Sequence, residues 1–203
     1  MPAVTHNAVI LAGGRSARLG GRPKALLLAG GATLLETTLA AAEGAQHIAV
    51  AGPPGLRPLL DGFPGEPMLV REEPAFGGPA AAVAAGLGAL PGSSDWTLVL
   101  ACDMPGVSAA VQALLRAAED GGGDSLLALD SSGRSQPLAG LYRTADLHAA
   151  VAGHAPNGLT NMSMKALLAR VQWRGVVVPP MSTADVDTWD DAQNLGVSAG
   201  DQP

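Results

Sequence analysis

Residues 7–24 read NAVILAGGRSARLGGRPK, an apolar run followed by a segment rich in glycine and arginine. The run from Asn7 to Ala12 has the length and composition of a buried β-strand, and it stops at the pair Gly13-Gly14. Glycines in such a turn let the backbone approach a ligand and direct N–H groups at phosphate oxygens. This stretch therefore predicts a strand that leads into an anion-binding turn.

Two well-known phosphate-binding loops do not fit this turn. A Walker A loop needs Gly-Lys-Ser/Thr after its second glycine, whereas Lys24 lies between Pro23 and Ala25. The dinucleotide fingerprint Gly-x-Gly-x-x-Gly is also absent, because Arg15 directly follows Gly13-Gly14. The sequence thus excludes both of these phosphate-binding motifs.

Charge is distributed unevenly along the chain. Of 12 basic residues, four (Arg15, Arg18, Arg22 and Lys24) lie within ten positions, and no acidic residue precedes Glu36. The formal net charge of the whole chain is nevertheless −6. Arginine forks and a mobile lysine ammonium suit a triphosphate, so the segment predicts a pocket for a small polyanion. A solvated basic turn is the alternative interpretation.

Length and composition exclude several other classes of protein. The 203 residues predict a single domain over 1–197 with a flexible tail over 198–203, and the 47% of hydrophobic residues exclude intrinsic disorder. Six aromatic residues are too few for a general nucleic-acid binder. The lone Cys102 excludes an internal disulfide, and no signal peptide or membrane segment is recognisable. We therefore expect a cytoplasmic protein without a nucleic-acid or membrane partner.

The alternation of apolar runs with helical patterns predicts an α/β fold with a mainly parallel sheet. Its most apolar strand is expected at Trp96 to Ala101, and helices are expected to start at Pro79 and after Thr188. Asp103 directly follows that apolar strand. Ligands of open α/β sheets bind at the carboxyl ends of the strands, so Asp103 is a candidate ligand for Mg²⁺.

Further carboxylates lie near the C-terminus. In an extended segment Asp185 and Asp187 share one face, because side chains repeat every second residue. Asp190 and Asp191 are expected in the first turn of the last helix, where the helix dipole favours anions. For Asp103 the alternative to a metal ligand is the cap of a helix that starts near Val107.

The segment Leu11-Ala-Gly-Gly, together with Arg18-Leu-Gly and Pro23-Lys24, resembles the signature of nucleotidyltransferases that activate sugars and cofactors with nucleoside triphosphates. Its Leu-Ala-Gly-Gly form resembles the molybdenum cofactor guanylyltransferase group. The resemblance continues in family order at four further segments: 78–82, 102–105, 136–142 and 185–191. It implies a three-layer, Rossmann-like α/β fold with a mixed, mainly parallel central sheet.

The same resemblance implies a reaction and a set of site residues. The implied enzyme transfers GMP from GTP to a phosphorylated pterin, molybdopterin, with Mg²⁺ as cofactor and pyrophosphate as product. The implied catalytic residues are Arg18, Lys24 and Asp103, and the implied metal ligands are Asp103 and Asp187. The implied nucleotide-binding residues are Leu11, Ala12, Gly13, Gly14, Arg15, Lys24 and Gly78.

Several alternatives stay open at this point. The guanylyltransferase group usually carries an acid directly before the lysine, whereas Arg22-Pro23-Lys24 resembles the cytidylyltransferase branch, so CTP or another nucleoside triphosphate is an alternative donor. An alternative of another class is a non-catalytic nucleotide-binding module. The sequence assigns no definite role to Asp185, Gln136, Asn161 or Lys165, of which the last three are candidates for the acceptor side.

Overall fold

The computed structural model describes residues 4–92, 94–155 and 157–200. Its strands are β1 (His6–Leu11), β2 (Leu28–Ala29), β3 (Ala32–Thr33), β4 (Ile48–Ala51), β5 (Met68–Val70), β6 (Trp96–Ala101), β7 (Ser125–Leu129), β8 (Ser135–Arg143), β9 (Trp173–Val177) and β10 (Val197–Ser198). Its α-helices are α1 (Leu34–Ala41), α2 (Arg57–Leu60), α3 (Pro79–Ala89), α4 (Val107–Glu119), α5 (Thr144–Ala152), α6 (Met164–Leu167) and α7 (Trp189–Asn194).

A seven-stranded central sheet runs in the spatial order β5-β4-β1-β6-β8-β7-β9. Strands β5, β4, β1 and β6 are parallel to one another, and β9 is parallel to β7. Strand β8 is antiparallel to both of its neighbours, β6 and β7. The mixed, mainly parallel sheet confirms the fold class predicted from the sequence.

Helices cover both faces of this sheet and complete three layers. Along β1 the side chains alternate, as the two-residue period of a strand requires. Ala8 and Ile10 belong to the hydrophobic core that includes residues of α1 and α4, whereas Val9 and Leu11 belong to the core that includes residues of α3 and α5. All six residues of β1 are buried, and so are all six of β6. These two adjacent strands therefore form the centre of the molecule.

A second, three-stranded sheet in the order β10-β2-β3 was not expected from the sequence. It accompanies a separate group of buried residues, here called the satellite core: Leu19, Leu27, Leu34, Val186, Ala192 and Val197. Ser198 pairs with Leu28 in this sheet, so the small sheet includes the first residue of the segment predicted as a tail. Residues 201–203 of that predicted tail lie outside the described residues.

Local sequence signals account for the helix boundaries. Thr33 and Thr188 each cap a helix, and in each case the side chain three residues later, Glu36 or Asp191, completes a capping box. Pro79 is the first residue of α3, where the missing N–H costs nothing. Among the described residues, no helix is both long and apolar enough to cross a membrane.

Candidate active site

The loops that follow β1 and β6 lie side by side, because these strands are parallel neighbours and Leu11 is in register with Ala101. Together with the segment from Glu72 to Pro79 they border a cleft of about 790 Å³. Besides Asp103, the cleft is lined by all seven residues expected to bind a nucleotide: Leu11, Ala12, Gly13, Gly14, Arg15, Lys24 and Gly78. The structure therefore brings these residues to one surface.

Lys24 connects two carboxylates at this surface. Its Nζ donates hydrogen bonds to Asp103 Oδ2 at 2.8 Å and to Asp187 Oδ1 at 2.5 Å. The side chains of Lys24 and Asp103 are only 20% and 19% exposed. Burial by itself lowers the pKa of Lys24, but attraction by Asp103 and Asp187 and hydrogen bonding to both outweigh it, and the pKa is raised. The ammonium group is therefore charged at neutral pH.

Asp185 completes a group of three acids with Asp103 and Asp187. One carboxylate oxygen from each lies within 4.8 Å of the others. Val186, between two of these acids, is fully buried, and its N–H donates to the Asp103 carbonyl at 3.0 Å. Asp185 itself is exposed, yet partial desolvation and the neighbouring negative charges of Asp103 and Asp187 raise the pKa of its carboxyl group. Three hard oxygen ligands at this spacing are the kind of group that holds Mg²⁺ or Mn²⁺.

The satellite core anchors both the glycine- and arginine-rich segment and the acidic segment. Leu19 belongs to the glycine- and arginine-rich segment and Val186 to the acidic segment, and both side chains are buried in this core. Strand β10 contributes Val197 to the satellite core. Two residues beyond Val197, the Ala199 carbonyl accepts a hydrogen bond from Arg22 at 3.2 Å. Arg22 therefore contacts the C-terminal segment.

The two remaining arginines of the segment have different partners. Arg18 is 73% exposed and its Nη1 lies 3.4 Å from Asp187 Oδ2. Arg15 also is exposed, and its guanidinium carbon lies 5.2 Å from the centroid of the Phe76 ring. Arg18 thus borders the acidic group, whereas Arg15 is held at the aromatic side of the cleft.

Glycine is required at two points along the cleft. Gly14 adopts φ +141° and Gly78 adopts φ +90°, values that residues with a Cβ rarely adopt. A Cβ at Gly78 would also lie 3.4 Å from the Asn161 Cα. Within the part of the chain that the structure describes, neither Gly13 nor Gly14 donates a hydrogen bond through its amide. Both amides can therefore bind an anion.

Residues 8–173 match a family model described as the MobA-like NTP transferase domain. The chain belongs to this family. The match includes the glycine-rich turn, Lys24 and Asp103, and it ends before Asp185 and Asp187. Two of the three acids in the cluster therefore come from the part of the chain that follows the matched region.

Solved structures of similar proteins share the fold of this MobA-like domain. Rv0371c from Mycobacterium tuberculosis H37Rv is 24% identical, with 95% of this chain and 98% of that chain covered and a TM-score of 0.72. Its complex with manganese is 18% identical over 94% and 97% of the two chains, with a TM-score of 0.67. Molybdopterin-guanine dinucleotide biosynthesis protein A from Archaeoglobus fulgidus is 20% identical over 93% and 96%, with a TM-score of 0.70.

A curated relative with higher local identity aligns with a short segment only. The 2-C-methyl-D-erythritol 4-phosphate cytidylyltransferase of Thermus thermophilus is 54% identical over 50 residues. The alignment covers 25% of this chain and 24% of the relative. The chain is therefore similar to a cytidylyltransferase over a quarter of its length, and it shares its fold with a protein named for molybdopterin-guanine dinucleotide biosynthesis.

Two of the three candidates for the acceptor side have hydrogen-bond partners elsewhere in the structure. Gln136 donates through Nε2 to Asp130 Oδ2 at 3.0 Å, and this bond contributes to lowering the pKa of Asp130 to about 2, after the larger effects of Ser132 and Arg134. Asn161 donates through its backbone N–H to the Gly77 carbonyl at 2.6 Å. Lys165 is an exposed residue of α6. None of the three lines the cleft within the described residues.

Two acids and the cysteine also have clear positions. Asp191 belongs to the capping box of α7, where hydrogen bonding to the Thr188 side chain and backbone lowers its pKa, and Asp190 is an exposed residue of the same turn. Helix α4 is capped at Gly106 without a side-chain hydrogen bond, so Asp103 is not its cap.

Cys102 is buried, and desolvation raises the pKa of its thiol, which makes it a poor nucleophile.

Glu72 and Phe76 line the cleft but were not singled out from the sequence. Both lie in the loop between β5 and α3, directly before Gly77-Gly78-Pro79. The Phe76 N–H donates to Glu72 Oε1 at 3.0 Å. An aromatic residue beside a glycine pair was the available signal, but it shows nothing about which way the side chain points.

Proposed function

We propose that this chain is a Mg²⁺-dependent nucleotidyltransferase that transfers GMP from GTP to the molybdopterin cofactor and releases pyrophosphate. One observation carries the proposal: the Lys24 ammonium lies between the carboxylates of Asp103 and Asp187 beside a glycine-lined cleft. A cationic side chain and clustered hard oxygen ligands are the two components that a polyphosphate substrate with a bound metal needs.

The acidic group fits a magnesium ion. Asp103 and Asp187 would hold it, and Asp185 lies close enough to contribute a third oxygen or to bind one of its waters. When bound, the ion offsets negative charge on the phosphates and aligns the reacting groups. The manganese complex of Rv0371c, a protein with the same fold, supports a divalent cation here.

The side chains of the glycine- and arginine-rich segment would position the triphosphate. In the proposed reaction a phosphate oxygen of the acceptor forms a bond to the α-phosphorus, the bond between the α-phosphorus and its bridging oxygen breaks, and pyrophosphate leaves. Lys24 would neutralise charge at the α-phosphate, while Arg15, Arg18 and the amides of Gly13-Gly14 would bind the β- and γ-phosphates. Positioning and charge neutralisation, without a covalent intermediate, account for catalysis.

Three observations favour guanine as the base. The turn has the Leu-Ala-Gly-Gly form, and a protein named for molybdopterin-guanine dinucleotide biosynthesis has the same fold over 96% of its length. In addition, Glu72 borders the cleft, and the residue is only 9% exposed. An ionised carboxylate accepts hydrogen bonds only, and guanine offers two adjacent donors on its Watson–Crick edge whereas cytosine offers one.

A second candidate is the transfer of CMP from CTP to a sugar phosphate or related acceptor. The 50-residue similarity to a 2-C-methyl-D-erythritol 4-phosphate cytidylyltransferase favours it, as does Pro23 directly before Lys24. The same arrangement of Lys24, Asp103 and Asp187 would serve this reaction, so the two candidates differ in base and acceptor but not in chemistry.

Pyrophosphate release distinguishes the two candidates. GTP and CTP should each be combined with molybdopterin and with 2-C-methyl-D-erythritol 4-phosphate, with Mg²⁺ and without it. We expect Mg²⁺-dependent release from GTP plus molybdopterin, and at least tenfold less from the other three pairs, which is about 1.4 kcal/mol of discrimination. Release from CTP plus the sugar phosphate alone would replace the first candidate by the second.

A further inference from the structure

Phe76 is an unusual residue on the wall of the cleft. Its side chain is large and apolar, yet the residue is 50% exposed. Its backbone adopts φ +61°, the left-handed region in which residues with a Cβ are uncommon. Strained backbone that persists in a binding cleft points to a function for the side chain that it orients.

Glu72 holds this conformation in place. Its Oε1 accepts the hydrogen bond from the Phe76 N–H at 3.0 Å, and the Glu72 side chain is itself nearly buried. Because a buried acceptor that lost this donor would be destabilised, the bond favours the left-handed turn. The ring is thus presented to the cleft by a fixed loop.

Arg15 covers the ring in the structure, with its guanidinium carbon 5.2 Å from the ring centroid. This distance is within the range of a cation–π interaction. Arg15 also is the first residue after Gly14, beside the amides proposed to bind phosphate. The Arg15 guanidinium therefore lies between the face of the Phe76 ring and the amides that are proposed to bind phosphate.

We propose that the Phe76 ring is the stacking surface for the nucleobase, and that Arg15 leaves this ring for the phosphates when the nucleotide binds. The proposal rests on the proposed function only in taking a nucleoside triphosphate as the ligand. A flat heteroaromatic base replaces the planar guanidinium on the ring face, and the released guanidinium gains charge-assisted hydrogen bonds to phosphate. Phe76 then contributes base affinity and Arg15 contributes phosphate affinity.

The test compares a ligand that has a base with one that has none. Isothermal titration calorimetry with Mg²⁺ measures the Kd of GTP, or of whichever nucleoside triphosphate binds most tightly, and of inorganic tripolyphosphate. Phe76→Gly removes the ring and suits φ +61°, so its melting temperature should not fall below that of Phe76→Ala. We expect Phe76→Gly to weaken the nucleotide about tenfold and tripolyphosphate less than twofold, since stacking on one aromatic residue accounts for a factor of that size.

Arg15→Ala provides the complementary measurement. It should weaken GTP and tripolyphosphate by the same factor, about tenfold, because its contribution in the bound state goes to the phosphates alone. Arg116→Ala, an exposed arginine in the last turn of α4, is the matched control and should change neither Kd. In Phe76→Trp, GTP should quench tryptophan fluorescence beyond the effect in the wild type, and tripolyphosphate should not.

The outcomes separate this inference from the proposed function. If Phe76→Gly binds the nucleotide as tightly as the wild type, or weakens both ligands equally, the stacking role is wrong while nucleotide binding stands. If the wild type binds tripolyphosphate but gains nothing from a base, the stacking role is also wrong. If it binds neither ligand, the proposed function fails and the inference fails with it.

Discussion

Asp103→Asn is expected to lower kcat by a factor of about 10³ or more, because it removes one charge from the metal-binding group and from the partner of Lys24 at once. The asparagine keeps the shape of the side chain at the end of β6, so folding should be retained. Pyrophosphate release at saturating substrate and Mg²⁺ measures the loss, and the melting temperature shows whether the variant is folded.

Asp190→Asn is the matched control for this variant. Asp190 has the same charge but is an exposed residue in the first turn of α7 and lies outside the acidic cluster. Its kcat should stay within about twofold of the wild type, since a surface charge in a first helical turn contributes only a fraction of a kcal/mol. Equal losses in the two variants would contradict the assignment of Asp103 as a metal ligand.

Lys24→Met is expected to change metal affinity and turnover in opposite directions. Without nucleotide, the ammonium lies 2.8 Å from an Asp103 oxygen and 2.5 Å from an Asp187 oxygen, where a cation would bind. Its removal should tighten the binding of Mn²⁺ alone by about tenfold, since a competing charge at this distance contributes on the order of 1 kcal/mol or more. Turnover should fall about 10²- to 10³-fold, because the charge on the α-phosphate loses its partner.

A Mn²⁺ titration of the chain without nucleotide, followed by pyrophosphate release, checks both halves of this expectation. Lys165→Met, an exposed lysine of α6, is the control and should change neither quantity. The melting temperature of Lys24→Met should rise more on addition of Mn²⁺ than that of the wild type, because the unpaired carboxylates gain a counter-ion. Weaker Mn²⁺ binding in Lys24→Met would show that the lysine supports the metal rather than competing with it.

The central strands, two helix caps and the position of Asp103 could be predicted because they depend on local sequence. Apolar runs indicate the central strands β1 and β6, in which the structure buries all six residues. Because ligands of an open α/β sheet bind at the carboxyl ends of its strands, Asp103 is expected at the ligand edge. The caps at Thr33 and Thr188 follow from side chains three residues apart. These features need no knowledge of distant contacts.

The rest of the site depends on contacts between distant segments. Asp185 joins the acidic group because the Val186 N–H bonds to the Asp103 carbonyl, far away along the chain, and because Val186 is buried with Leu19 in the satellite core. The strands of the small sheet are two residues long, too short for a periodic pattern. The exposed ring of Phe76 depends on a left-handed backbone that its residue type disfavours.

Gln136, to which the sequence assigns no definite role, has a structural partner. It lies in a segment that resembles the family, yet its amide bonds to Asp130 in the turn between β7 and β8. Ser132 and Arg134 donate to the same carboxylate, so Gln136 is part of a turn. Leu138, two positions further along β8, is the residue of this segment that reaches the cleft.

We expect the cleft to bind a nucleoside triphosphate together with a divalent cation through Asp103. Thermal unfolding with GTP, CTP, ATP and UTP, each with and without Mg²⁺, tests this binding in the wild type and in Asp103→Asn. At a ligand concentration of about 100 times Kd, GTP with Mg²⁺ should raise the wild-type melting temperature by about 5–10 °C, and Asp103→Asn should lose most of this rise. A rise confined to CTP would change the base but still show metal-dependent nucleotide binding. No rise with any nucleotide, or an equal rise without Mg²⁺ and in Asp103→Asn, would contradict it.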